Sequence, residues 1–169
     1  MSYYSHEFIG EVAQLHYEPY SYTVIFVPES VQATLPLTQY PRLRVIGEIA
    51  EHDFNAALIP SKQGRHIILS PELLRATWLR LGDMAEVRFN IADQDAVPLP
   101  YELETALADN ANAQGVWDKL TPGRRRGLAS LVAKPKAEAT RTRKAAELVT
   151  LLASGGPLPG PPPRSTKPR

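Results

Sequence analysis

Hydrophobic and polar positions follow two different periods along this chain. The change of period falls near residue 100. In HEFIGEVAQL (6–15), Phe8 and Val12 share one face with Gly10 between them, while Glu7 and Glu11 take the other, which predicts a strand. YTVIFVP (22–28) is an unbroken β-branched and aromatic run, the pattern of a strand covered on both faces, and Pro28 ends it. Tyr17, Tyr20 and Tyr22 fall in a turn-rich connection around Pro19, and 29–41, with Pro36 and Pro41, reads as a loop. RLRVIGEIAEHDF (42–54) is the next strand, with a bulge or sharp coil expected at Gly47. FNAALIPS (54–61) returns across the EHD turn, and RHIILS (65–70) follows the KQG turn. Ser70 is placed to cap a short helix with Pro71 at its first position, and Leu74, Trp78 and Leu81 sit at helical spacing toward the core. Leu81-Gly82-Asp83 breaks that helix. MAEVRFNIA (84–92) then alternates again, with Val87, Phe89 and Ile91 on one face.

Beyond residue 92 the pattern turns helical. ADQDAVPLP is an exit, Pro100 opens a short helix YELETALA, and DNANAQG (109–115) reads as a linker. Thr121 is an N-cap with Pro122 at N1; Leu128, Leu131 and Val132 form one apolar face, and Pro135 ends the helix. A second helix over about 137–153 carries the stripe Ala145, Leu148, Val149 and Leu152 and stops at Gly155-Gly156. The proline-rich remainder reads as disordered or polyproline II.

The predicted class is mainly β with α. A small β-barrel (1–100) is followed by a short helix and linker (101–120), a basic two-helix hairpin (121–155) and a disordered Pro-rich tail (156–169). Composition narrows function by exclusion. There is no cysteine, so disulfides, thiolate metal sites and cysteine nucleophiles are absent. The histidines have no metal-ligand spacing, and no G-x-S-x-G or phosphate-binding glycine loop occurs. No secretory signal pattern and no membrane-length apolar run is present, so the expected location is cytoplasmic, without a membrane partner.

Net charge is +1, but its distribution is lopsided. Residues 1–118 hold 7 Lys/Arg against 16 Asp/Glu, and residues 119–169 hold 12 against 2, giving −9 and +10. TPGRRRGLASLVAKPKAEATRTRK (121–144) concentrates the excess. It puts Arg124, Arg125 and Arg126 near the positive end of a helix dipole, where cations are disfavoured unless an anion or acidic surface is near.

FIGEV, LRVIGEI, FNAALIPSKQGRHIILS and LRLGDMAEVRFNIAD resemble a small bacterial β-barrel family of unknown function. WDKLTPGRRRGLASLVAKPKAEATRTRKAAELVTLL resembles the bacteriocin-protection, YdeI/OmpD-associated segment that commonly follows that domain. The motifs that carry the resemblance are Gly82-Asp83 before a strand, Trp117 before the Thr-Pro cap, and Ala133-Lys134 with Thr140-Arg141-x-Arg143. The resemblance implies a double-split barrel, related in shape to the AbrB/MazE swapped-hairpin barrels, and no established activity; no cofactor is expected.

Candidate chemistry is a binding surface. Arg124, Arg125, Arg126, Lys134, Lys136, Arg141, Arg143 and Lys144 form a basic set able to hold phosphate or nucleic acid, with Trp117 able to stack on a base. Against this stand a solvated or internally paired face, which Arg143 and Glu147 at i,i+4 would serve, and burial of Trp117 beneath its helix. Arg65, His66 and Asp93 are the polar candidates of a barrel mouth. PGPPPR (159–164) fits a P-x-x-P-x-R ligand pattern and equally an ordinary tail. The expected function is therefore a non-enzymatic binding module whose basic hairpin meets an anionic partner such as nucleic acid. The alternatives are a protein-interaction or self-associating factor in bacteriocin or envelope-stress protection, and a small-molecule binder or enzyme at the barrel mouth.

Overall fold

The computed structural model describes residues 2–160. It divides the chain into two compact units, Met1–Gln94 and Asp95–Arg169. Each has its own hydrophobic cluster.

The first unit is a six-stranded antiparallel sheet made of β1 (His6–Tyr17), β2 (Tyr20–Phe26), β3 (Arg44–Ile49), β4 (His52–Ala57), β5 (His66–Ile68) and β6 (Met84–Ile91). The order across the sheet is β4-β3-β6-β1-β2-β5. The ladder does not close. Edge strand β5 is joined through His66 by a single bridge to Ile59, two residues past the end of the other edge strand, β4. All six predicted strands are present, and the alternation places them correctly. Phe8, Val12, Val87 and Phe89 point into the core, while Glu7 and Glu11 face solvent. Val24 and Ile25, adjacent in β2, are both fully buried, as a strand covered on both faces requires.

Two turns are tighter than the sequence suggests. β1 and β2 form a hairpin closed by Tyr17 and Tyr20. β3 and β4 are joined through Ala50 and Glu51, at φ 47° and 63°. Those left-handed angles match a two-residue turn of the type that suits strand twist, though neither residue is the Gly or Asn such a turn favours. Gly47 is not at a bulge, since its pairing with Phe54 and Phe89 is unbroken. A Cβ there would lie 1.9 Å from the Arg88 carbonyl oxygen, so glycine serves a close approach of β3 to β6.

The 29–41 loop contains the one-turn helix α1 (Glu29–Gln32). The helix α2 (Pro71–Thr77) is capped as expected, with Ser70 Oγ accepting from Leu73 N–H at 3.1 Å. It stops earlier than expected. Trp78 adopts φ 58° and becomes the C-cap, so Trp78 and Leu81 leave the helical face and are exposed, at 82% and 56%. Leu74 alone of the expected trio packs against the core.

The second unit is helical and larger than a hairpin: α3 (Tyr101–Ala108), α4 (Ala111–Lys119), α5 (Pro122–Ala133) and α6 (Glu138–Ser154). The expected linker at 109–115 falls largely within α4. Asn110 caps it by accepting from Ala113 N–H at 3.0 Å, and Ala113 and Trp117, one turn apart, anchor it in the core. The Thr121 cap, Pro122 at N1 and the left-handed Gly155 stop are all present. The α6 stripe Ala145, Leu148, Val149 and Leu152 is buried. On α5 the buried face is Leu128, Ala129 and Val132; Leu131 is partly exposed instead. The first residues of the expected tail are not featureless, because Leu158 packs on the helical core. Residues 161–169, with most of the P-x-x-P-x-R pattern, lie outside the described residues.

Candidate functional site

Short helices leave carbonyls unpaired at their C-termini, where the dipole is negative. Arg125 meets that need inside its own unit, and its neighbours reach other backbone carbonyls there. Arg125 donates from Nε to the Leu120 carbonyl at 2.9 Å and from Nη2 to the Asp118 carbonyl at 3.1 Å, both at the end of α4. Arg124 donates to the Leu158 carbonyl at 3.4 Å, beyond α6, and Arg126 to the Ala96 carbonyl at 3.2 Å, before α3. Three consecutive guanidiniums therefore reach three separate stretches of backbone, and all three residues are half-buried. The cost of placing them near the α5 N-terminus is offset by these acceptors.

Arg141 repeats the device. Its Nη1 donates to the Lys136 and Pro135 carbonyls at 2.7 and 3.2 Å, just past α5, and its Nε to Glu102 Oε1 at 2.7 Å. The Glu102 side chain is only 10% exposed. Its carboxyl is held below the usual carboxylate range, first by its own backbone N–H and then by the Arg141 guanidinium, against the opposing effect of burial. Arg143 pairs with Glu147 at 2.7 Å across one exposed turn. Lys134 and Lys136 are exposed around the α5–α6 turn, and Lys144 is half-buried on α6. Trp117 is 3% exposed and belongs to the helical core, so its ring is not presented for stacking.

The unit boundary also changes the charge count. Asp95, Glu102, Glu104, Asp109 and Asp118 fall on the helical side. Residues 95–169 then carry 12 basic against 7 acidic residues, net +5, and residues 1–94 carry 7 against 11, net −4. The steep split at residue 118 cuts through one folded unit.

Of the polar trio in the sheet unit, Arg65 donates from Nη1 to the Pro41 carbonyl and, at 3.5 Å, to the Leu58 carbonyl. It therefore clasps the loop ahead of β3 to the segment after β4. Its Nε is buried without a partner among the described residues. His66 is 3% exposed, edge-on to Phe26, with Nδ1 3.3 Å from the Gly64 carbonyl. Burial pushes its imidazole down, against the Gly64 hydrogen bond, so the neutral form is favoured. Asp93 is exposed just past β6. The structure thus makes His66 a core residue and Arg65 a backbone clasp.

One concavity was not read from the sequence. An open groove of about 470 Å³ lies on the outer sheet face, lined by Tyr3, Tyr4, Ile46, Gly47, Phe54, Asn55, Asn90 and Asp53. Ile46 is half exposed between its two cross-strand neighbours, Asn55 and Asn90. Asn90 holds the Tyr3–Ser5 segment over the sheet: its Oδ1 accepts from Ser5 N–H at 2.7 Å and its Nδ2 donates to the Tyr3 carbonyl at 3.3 Å. The available signal was an apolar residue on the polar face of LRVIGEI together with outward asparagines inside strands, where asparagine is depleted.

Comparison with known families divides the chain as the fold does. Residues 10–89 match the family model described as a domain of unknown function (DUF1905). Residues 96–155 match the family described as bacteriocin-protection, YdeI or OmpD-associated. The first match lies within the sheet unit and the second within the helical unit. No curated protein and no solved structure matches.

Proposed function

We propose that the chain is a non-catalytic binding module whose partner is a protein, met through the outer face of the sheet unit. The observation that carries this reading is the exposure of large apolar side chains there. Ile9 and Met84 are 67% and 62% exposed and stand diagonal to one another on the paired strands β1 and β6. Trp78 and Leu81 are exposed in the loop leading into β6. Ile9 and Met84, neighbours on a water-facing sheet surface, give that face an apolar contact point. The description of the matched helical segment as bacteriocin-protection suggests a stress-protection setting for such a partner. The bridge between Ile59 and His66 supports reading the sheet as rolled toward a barrel of the AbrB/MazE-like kind. Burial of His66 speaks against chemistry at a barrel mouth.

A second reading, an anionic partner such as nucleic acid, rests on the exposed Lys134 and Lys136 with Arg143 and Lys144. Its difficulty is that Arg124, Arg125, Arg126 and Arg141 already donate within their own unit. Capture with the full chain, with and without nuclease, separates the two. A protein retained after nuclease and lost with Ile9→Glu/Met84→Glu supports the first. Loss under nuclease, with binding to random DNA that falls steeply with salt, overturns it in favour of the second.

A further inference from the structure

The groove over β3 and β4 has the size of a small-molecule site, and its lining carries a consistent charge preference. Its floor is apolar, built on Ile46, Gly47 and Phe54. One side is aromatic: Tyr3 and Tyr4 meet edge to face, with centroids 5.3 Å apart and planes at 85°. Asp53 is the one charged lining residue, and it makes no hydrogen bond or ion pair among the described residues. Its cross-strand neighbour Glu48 adds a second carboxylate, and Glu51 and Glu86 stand beside Glu48. Arg88, among those carboxylates, is held by Glu86 at 2.8 and 3.1 Å. Arg44, on the same face as Ile46, is turned to the Asn55 side-chain oxygen at 2.7 Å. The Tyr4 phenol is pushed up, first by burial, then by its hydrogen bond to Glu48, and further by the Glu48 and Asp53 charges.

We infer that this groove binds a small organic ammonium, a protonated amine on an aromatic or alkyl body. The ammonium sits against the Asp53 carboxylate and the face of a tyrosine ring, where a cation is attracted by the ring quadrupole. The apolar body lies on Ile46. The Asn55 amide N–H groups, whose oxygen partner is taken by Arg44, serve an acceptor near the nitrogen. A bare metal ion does not fit this lining, because no group of three carboxylate or histidine ligands converges among the described residues. Asn90 acts as a positioning residue. By fixing Tyr3 and Ser5 it keeps the aromatic side over the sheet. The inference does not rest on the protein-partner reading, which uses Ile9, Met84, Trp78 and Leu81.

The test is a titration of the full chain, followed by backbone amide NMR, with three matched probes: phenethylammonium, 2-phenylethanol and phenylacetate. Phenethylammonium is expected to shift Ile46, Asp53, Asn55 and Asn90, with the alcohol and the acid each weaker by about tenfold, the value of one charge contact near 1.4 kcal/mol. Asp53→Asn should weaken the amine about tenfold and leave the alcohol unchanged. Tyr4→Leu, which keeps the carboxylate, should weaken the amine more than the alcohol. Three probes binding alike, amine affinity unchanged in a folded Asp53→Asn protein, or no shift with any probe would each overturn the proposal.

Discussion

The two units contain similar charged side chains and use them in opposite ways. In the sheet unit the ladder satisfies most of the backbone, so that, apart from Arg65 and its two carbonyls, charge is left to the outer face. There Asp53, Glu48, Arg88 and Glu7 succeed one another across β4, β3, β6 and β1. In the helical unit α3 and α4 are only 8 and 9 residues long, so a large share of the backbone lies at helix ends. Every such end leaves carbonyls to be paired, and Arg125 and Arg141 turn inward to carbonyls at or just past the ends of α4 and α5. The basic run at Arg124, Arg125 and Arg126 is thus a structural feature of the helical unit. The difference lies in where the backbone is left unpaired.

The comparison breaks most severely at the place where strands must touch. Gly47→Val should destabilise the sheet unit by roughly 4 kcal/mol or more, because its Cβ would overlap the Arg88 carbonyl and the Phe89 Cα, neither of which can rotate away. Loss of amide-exchange protection in β3 and β6 is the readout. Arg125→Met tests the inward use of charge. Losing its two bonds to the end of α4 should cost about 2–3 kcal/mol, read from the urea midpoint and from early exchange at 117–120. A surface role would instead leave the midpoint unchanged and alter only salt-dependent binding.

Arg141→Met sharpens the same point through pH. Because the folded Glu102 carboxyl is depressed, its contribution to stability is full above the ordinary carboxylate range and is lost as pH falls through the folded value. Without Arg141 that acid-side loss should shrink but persist, since the Glu102 backbone N–H also lowers the carboxyl. Urea midpoints between pH 6 and pH 3 measure it. The smallest effect concerns the β3–β4 turn. Glu51→Gly removes a left-handed non-glycine residue and should raise stability by about 1 kcal/mol, seen as a higher melting temperature.

Much of this molecule follows from local chemistry, and that part was legible. Alternation placed strands such as β1 and β6, because a side chain's face in a strand depends only on its parity, and an unbroken β-branched run placed β2. Caps at Ser70 and Thr121 and the stop at Gly155 follow from hydrogen bonds within four residues. The α6 stripe, from Ala145 to Leu152, follows from helical spacing. The helix α4 was hidden because Asn, Gln and Gly115 give it a loop-like composition, and only Ala113 and Trp117, held by the other helices, make it worth forming. Trp78 and Leu81 were misplaced because the helix before them ends in a left-handed residue that no glycine announces.

The order of amino acids alone determined the six strands, the helices α2, α3, α5 and α6 with their caps, and the total charge, since these depend on neighbours a few residues away. The tertiary structure decided what the charges are for. Arg124 meets Leu158, Arg126 meets Ala96, and Arg141 meets Glu102 across 39 residues of chain. The groove at Ile46 likewise exists only because Tyr3, Asn55 and Asn90 are brought together from three distant stretches. Hydrogen bonds and cavities depend on distance in space, and that distance is set by how helices and strands pack.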